Sequence, residues 1–448
     1  MKSLAVDFEI NPEEKLFEES VIKDECVYAD LSSKFKFRTR DFSRQYAHIY
    51  TKRLLQMKDI ITKRAKQKWG DELKIRRLAE LQDDSNSRCV VIGTLYKDQE
   101  LKPSILKEIS EEFQLVPQKK MVRFVSDTDK VILEDELQRI VLIGIDASTV
   151  VTGTVCAVLG VEDASGKFNV ESICFPGPQA PSPFILLPKN SNKYALLLSG
   201  LDLATSSDTL LSLQLLIQWL SGWLGSEQET TSFVLIAGGL LRSTSEDLEG
   251  KIVGTSIDSS SDITTALQLA DELFAELSET MNVELMPGQF DPTNYLLPQQ
   301  PVNLRVFPKA MANKTFNGGT NPHKFQVENV LFTGSSGEPI TDIGRYSKME
   351  DPLDALEATF HWGHLAPTAP DTLGCYPYYD EDPFVLEEQP DVFFSSNHSS
   401  FNSKIIEFNH GDVVQKTALV CIPSFSKTKT AVLVNLSTLE CSPIGCET

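Results

Sequence analysis

Between Phe42 and Trp69 apolar residues recur every three or four positions, at Tyr46, Ile49, Tyr50, Leu54, Met57, Ile61 and Ala65. That spacing lines one face of an α-helix, and Gly70 stands where a C-cap is expected. Interleaved with the stripe are Arg44, Lys52, Arg53, Lys58, Lys63, Arg64, Lys66 and Lys68, so the helix reads as amphipathic with a basic polar face. From Cys89 to Phe175 the pattern changes to short β-branched runs: Cys89 to Leu95, Lys130 to Leu133, Ile140 to Gly144, Val151 to Leu159 and Phe168 to Cys174. Gly93, Gly144, Gly153 and Gly160 fall in or beside these runs, where a tightly coiled sheet needs bends and bulges.

Five short strands predict a small barrel, of OB type or as an up-and-down meander. The next stretch, Phe175 to Pro183, holds four prolines in nine residues, a density that no helix or central strand tolerates, and it marks a domain boundary. Beyond it strands and helices alternate. Tyr194 to Leu198, Ser232 to Ala237 and Val283 to Met286 read as strands, and Thr209 to Leu224 and Asp262 to Glu279 as helices. Later come a strand at Glu328 to Phe332, a short helix near Asp354 to His361, and strands at Val392 to Phe394, Ser403 to Ile406, Lys416 to Ile422 and Thr430 to Leu436. Alternation early and strands late predict a layered α/β domain. The expected organisation is an acidic arm over 1–35, a helix and barrel over 36–178, a proline-rich linker over 179–193 and the α/β domain over 194–448.

Charge separates the two halves. The chain's net charge is −21, but residues 1–180 carry 28 basic and 30 acidic side chains and residues 181–448 carry 14 and 33. Phosphate neutralisation needs clustered Lys and Arg, so a surface that grips nucleic acid throughout is excluded and only the N-terminal half suits DNA. There Lys63, Arg64, Lys66 and Lys68 are the candidate phosphate contacts, or part of a nuclear-import signal. No run reaches the roughly 18 apolar residues of a membrane span. The eight cysteines form no C-x-x-C pair, and Met1-Lys2-Ser3-Leu4 leads into acidic sequence rather than an apolar leader, which suits buried thiols in a reducing compartment.

In open α/β sheets the functional loops follow the carboxyl ends of the strands. Here those loops are Ser199-Gly200-Leu201-Asp202, Ala237-Gly238-Gly239-Leu240-Leu241, Pro287-Gly288-Gln289-Phe290-Asp291-Pro292 and Phe394 to Phe401. Their succession resembles the calcineurin-like metal-dependent phosphoesterases, whose active members place D-x-H, G-D-x-x-D, G-N-H-D and G-H-x-H on such loops. The ligands differ. Ser199 and Leu201 fill the first Asp and His, Gly239 the Asp of the second motif, and Gln289 and Phe290 the Asn and His of the third, with Asp291 retained; Asn397 and His398 lie in the last loop without a G-H-x-H. A two-metal centre needs carboxylates and imidazoles around ions about 3.5 to 4 Å apart. The resemblance therefore implies a degenerate phosphoesterase sandwich with no catalytic residue and no metal, in which Asp291 pins a turn. His364 reads as a hydrogen-bonded loop histidine, and neither a phosphate-binding P-loop nor a G-x-G-x-x-G is present.

The order of an OB barrel and a degenerate phosphoesterase resembles the B-subunits of eukaryotic replicative DNA polymerases. Ser43 to Tyr50, Leu133 to Ile140, Met286 to Tyr295, Leu297 to Pro301 and Ala366 to Pro377 are similar to the delta branch of that family. The resemblance runs from about Phe35 to Pro443 and leaves out the first 30 residues and the serine-rich loop at 255–261. It implies a nuclear, non-catalytic scaffold in DNA replication and repair. The implied partners are the C-terminal module of the polymerase delta catalytic subunit, which holds an iron-sulfur cluster, and a further regulatory subunit; no cofactor is expected in this chain. Tyr376, Tyr378, Tyr379 and Phe384, with Phe393 and Phe394, are the aromatic candidates for partner contact, since subunit interfaces have aromatic and apolar centres. Two alternatives stand beside this reading: a metal-dependent phosphoesterase or 3′ to 5′ nuclease with atypical ligands, and a DNA-binding module acting through the basic helix.

Overall fold

Helix α1 spans Ala47–Trp69 and buries Ile49, Leu54, Met57, Ile61 and Ala65. In the computed structural model, which describes residues 2–3, 26–37, 41–84, 87–103, 122–178, 193–204, 209–222, 230–242, 258–410 and 413–446, the helix starts later than its apolar pattern. Asp41 Oδ1 accepts hydrogen bonds from the N–H and hydroxyl of Ser43, a local Asx turn that competes with helical hydrogen bonding. Most of the acidic arm (4–25), nearly all of the linker (179–192) and residues 255–257 of the serine-rich loop lie outside the described residues.

The apolar face of α1 packs on Val90, Ile92, Val155, Ala157 and Leu159. These belong to five strands, β1 (Cys89–Asp98), β2 (Lys130–Glu134), β3 (Arg139–Ile143), β4 (Val155–Glu162) and β5 (Lys167–Cys174). β1 pairs antiparallel with both β2 and β4, which closes the sheet, and β3 pairs in parallel with β5. A meander pairs only sequence neighbours, so the parallel β3–β5 pair excludes it and leaves the OB type. Inside are Val91, Leu95, Leu133, Val158 and Phe168. At Gly160 a Cβ would fall 2.0 Å from the Asn169 carbonyl oxygen, so the tight coil there requires glycine.

The α/β part holds two sheets. In the first, β6 (Lys193–Leu198), β7 (Thr230–Ala237), β8 (Asn282–Met286) and β9 (Phe316–Gly318) run parallel. Helices α2 (Thr209–Leu220) and α3 (Asp258–Thr280) cover one face, with Leu196, Leu213, Ile236, Phe274 and Leu285 in the core between. In the second sheet, β10 (His323–Val327), β11 (Val330–Ser335), β12 (Val392–His398), β13 (Asn402–His410) and β14 (Val413–Pro423) stand in the order β13-β14-β12-β11-β10, with Tyr28–Asp30 at the edge. β15 (Thr430–Asn435) and β16 (Cys441–Gly445) return to the first sheet beside β6. Leu197, Phe233 and Leu235 of one sheet and Phe325, Phe332, Phe394 and Val420 of the other share one core. The strand expected at Glu328 to Phe332 is shifted: Glu328 takes φ 53° at the β10–β11 turn.

The compact units interleave along the chain, a correction to the contiguous blocks expected from the linker. One comprises 39–180 with 338–389; the other comprises 1–38, 181–337 and 390–448. Helices α4 (Glu338–Tyr346) and α5 (Pro352–Trp362) thus belong with the barrel. Backbone hydrogen bonds account for this: Lys348 N–H donates to Ser148 O, Phe124 N–H to Arg345 O and Gly177 N–H to His361 O. Buried Lys97 of β1 adds its ammonium to the Tyr346 carbonyl at 2.7 Å. In the other unit, Tyr28–Asp30 adds a strand to β10, so the end of the expected acidic arm is an edge strand of the second sheet, and 36–37 belong with it rather than with the barrel.

Candidate functional site

The loops after β6, β7, β8 and β12 converge, and Asp291 in the loop after β8 ties that loop to the one after β7. Its carboxylate accepts backbone N–H bonds from Gly239 (3.0 Å), Leu240 (3.3 Å), Leu241 (3.1 Å) and Gly288 (2.8 Å). Burial pushes this carboxyl up to about 6, although each of the four N–H groups favours the charged form. The loops also bind one another directly. Gly200 N–H donates to Gly238 O, Asp202 N–H to Gly239 O, and Gly238 N–H to Met286 O. Asn397 donates its N–H to Ser199 Oγ and its side-chain amide to Ser336 O.

Glycine is required at this junction. Gly239 has φ +70°, and a Cβ on it would lie 2.5 Å from Asn397 Oδ1 and 2.9 Å from Gly200 Cα. Neighbouring Gln299 donates to Gly288 O and Asn294 O and accepts from Asn321, which also donates to Ser336 Oγ. Of the positions aligned with metal ligands, Ser199, Gly239, Asp291 and Asn397 come together. Leu201 points instead into the core under α2 and α3. Gln289 is exposed and hydrogen-bonds Tyr295 at 3.3 Å, Phe290 is half-buried, and His398 Nε2 is 2.8 Å from Ser395 Oγ. A two-metal centre does not fit this arrangement: Asp291 already accepts four N–H donors, and backbone packs where a ligand at position 239 would project. Among the described residues, no three His, Cys, Asp or Glu side chains are placed to hold a metal ion.

The other singled-out residues lie in the barrel unit or the sheets, and three corrections arise there. Arg53, expected on the polar face of α1, is fully buried. Its Nε donates to Asp382 Oδ2 (2.7 Å), Nη1 to Gly153 O and Pro367 O, and Nη2 to Ala369 O. Phe384 and Tyr376, proposed as surface aromatics, are buried, as are Phe393 and Phe394 on β12. Tyr378 is half-buried and Tyr379 is exposed. Among the basic candidates, Arg64 donates to Pro178 O and Lys68 to Ile173 O. Lys66 lies 3.7 Å from Asp71, and Lys63 is exposed.

Around Arg53 a closed polar network forms. His364 Nδ1 accepts from Ala366 N–H, so Nε2 carries the proton that it donates to Asp382 Oδ2 at 3.0 Å. Burial alone would raise the Asp382 carboxyl, but the Arg53 charge and His364 outweigh it and hold it well below the ordinary carboxylate range. Sequence reading missed this network, though Arg53 sits four residues from both Ile49 and Met57 on the apolar stripe, which was the available signal.

Comparison with known proteins matches the barrel and the α/β part as two successive stretches, the second of which includes 338–389. Residues 45–173 match the family model described as DNA polymerase delta subunit OB-fold domain, and residues 195–403 match that of the DNA polymerase alpha/epsilon B-subunit. The chain is 40% identical to DNA polymerase delta subunit 2 of Drosophila melanogaster, over 94% of this chain and 97% of that one. It is 37% identical to the DNA polymerase delta small subunit of Arabidopsis thaliana, covering 94% and 96% of the two chains. The Saccharomyces cerevisiae small subunit is 31% identical over 91% of this chain and 90% of its own length.

Proposed function

The chain belongs to the DNA polymerase delta small-subunit family and is an accessory subunit of that polymerase, and from this premise we propose that it acts as a non-catalytic scaffold. In this reading the two-sheet part is a degenerate phosphoesterase, and the barrel and the sandwich serve as a platform for protein partners. The carrying observation is Asp291: the one retained ligand accepts four backbone N–H bonds and closes the loops on one another. Such a node stabilises a platform and commits the carboxylate to backbone donors, three of them on Oδ2.

The partners in this reading are the C-terminal module of the catalytic subunit, with its iron-sulfur cluster, and a third regulatory subunit. The cluster belongs to the partner, and this chain supplies no cofactor. The setting is DNA replication and repair in the nucleus. DNA contact is weak or indirect, because residues 181–448 carry 14 basic against 33 acidic side chains and repel phosphates within a screening length of about 8 to 10 Å.

The test uses the full chain. Co-expression with the catalytic subunit should yield a complex that survives size exclusion, while the isolated chain should hydrolyse no phosphodiester with added manganese. A manganese-dependent turnover abolished by Asp291→Asn would overturn the non-catalytic reading in favour of the atypical phosphoesterase.

A further inference from the structure

Three aromatic side chains of the barrel unit face solvent together. Phe42 is 61% exposed, Tyr46 43% and Tyr379 44%. They come from two segments, 41–48 and 375–381, that hold each other in place. Phe42 meets Tyr376 edge-on at 5.2 Å, and Asp41 N–H donates to the Tyr376 hydroxyl. His48 meets Tyr379 edge-on at 4.7 Å, and Tyr46 is within electrostatic reach of Cys375. Rings fixed this way lose little side-chain entropy when covered, and a few such aromatics carry most of the energy of an interface.

The rim of the patch selects its occupant. Asp380 and Glu381, both exposed, follow Tyr379, and Asp41 is half exposed. The segments Asp41 to Tyr46 and Cys375 to Glu381 contain one basic residue, Arg44, against these three acids. That residue shows what the surface accepts, since its guanidinium lies over the Tyr379 ring at 4.6 Å. An aromatic face attracts a cation through its quadrupole, and neighbouring carboxylates add to the attraction. Platforms that stack nucleic-acid bases sit instead in positively charged grooves.

We propose that Phe42, Tyr46 and Tyr379, rimmed by Asp380 and Glu381, dock an Arg- or Lys-bearing segment of the polymerase catalytic subunit. This rests on the scaffold reading, which supplies the partner; the aromatic and acidic chemistry supplies the kind of segment. Because all three rings are exposed, their loss leaves the buried core intact.

The experiment uses biolayer interferometry at two salt concentrations to measure how tightly the full chain holds the catalytic subunit. Two variants are compared with wild type: the triple change Phe42→Ser, Tyr46→Ser and Tyr379→Ser, and the charge reversal Asp380→Lys with Glu381→Lys. The triple variant should bind about 30-fold more weakly or worse. The charge reversal should cost about 10-fold at low salt and less at high salt. Both variants within about twofold of wild type would overturn the patch while leaving the scaffold reading intact. Unchanged binding to the catalytic subunit with loss of the third regulatory subunit, or of a labelled single-stranded oligonucleotide, would overturn the assigned occupant. Failure of wild type itself to bind the catalytic subunit would instead overturn the scaffold reading, and the assignment with it.

Discussion

Asp382 in the barrel unit and Asp291 in the sandwich unit are both buried carboxylates at the meeting point of several loops, yet they are stabilised by different means. Asp382 is paired with a full positive charge, the Arg53 guanidinium at 2.7 Å, and with the His364 N–H. Asp291 faces only the partial charges of four backbone N–H groups. The consequence is opposite: the first carboxyl is held well below its ordinary range, and burial pushes the second up to about 6. A counter-ion outweighs desolvation where oriented amides only reduce it. Neither node needs a metal to hold its loops.

The largest test of the contrast is Arg53→Met, which fills the space but leaves the Asp382 charge without its ion partner. Breaking a buried pair costs about 3 to 5 kcal/mol, and Pro367, Ala369 and Gly153 lose their donor as well. Amide exchange should show the loss of protection in the barrel strands β1 and β4. Adding Asp382→Leu should recover part of that loss, because no uncompensated charge then remains. If the double variant is no more stable than Arg53→Met, the ion pair is not what holds the unit.

Asp291→Asn is expected to cost less, about 1 to 3 kcal/mol, because an amide keeps one acceptor but turns donors toward donors. Its pH dependence separates the two nodes more sharply. A carboxyl raised in the folded state contributes stability that is fully present below its unfolded value near 4 and is lost as pH rises through about 6. Asparagine does not titrate, so the cost of Asp291→Asn should be largest near pH 4 and shrink by roughly 2 to 3 kcal/mol toward pH 7. For Asp382→Asn the slope reverses. A depressed carboxyl contributes above its unfolded value near 4 and loses that contribution only as pH falls below it, so the cost should stay level from pH 7 to 4 and fall at lower pH. Urea midpoints at pH 3, 4, 5.5 and 7 would decide; a cost of Asp291→Asn that does not shrink from pH 4 to 7, or a cost of Asp382→Asn that does, would remove the distinction.

The two nodes also differ in how legible they are from sequence. Asp291 stands out because a resemblance marks its loop and its neighbours Gly288 and Pro292 announce a turn. Arg53 does not, because a charged residue within an amphipathic pattern reads as part of the polar face, and its partners lie more than 300 residues away at Pro367, Ala369 and Asp382. The same distance hides the membership of 338–389 in the barrel unit. Strand runs rich in Val, Ile and Leu are readable because burial on the inside selects them. Phe384 and Tyr376 were misplaced because aromatics in a loop of mixed sequence look like surface until the chain folds over them. Tyr28–Asp30 is a three-residue edge strand paired with a segment 295 or more residues later, which no local pattern announces.

The smallest effect concerns the outer face of α1. Arg64 and Lys68 already donate to the Pro178 and Ile173 carbonyls, so of the four candidates exposed Lys63, and Lys66 at the cost of only a solvent-exposed 3.7 Å ion pair to Asp71, are best placed to meet a phosphate. Replacing Lys63 and Lys66 by alanine should leave stability within about 0.5 kcal/mol, as for most surface changes. If the helix touches DNA, the slope of log binding constant against log salt should flatten by close to 1 for each lysine that contacts a phosphate. Replacing Arg64 and Lys68 should behave differently, lowering stability through the two lost carbonyl contacts while barely moving that slope. A salt slope unchanged in the Lys63 and Lys66 variant would leave α1 as a helix whose apolar face holds the barrel and whose basic face serves no duplex.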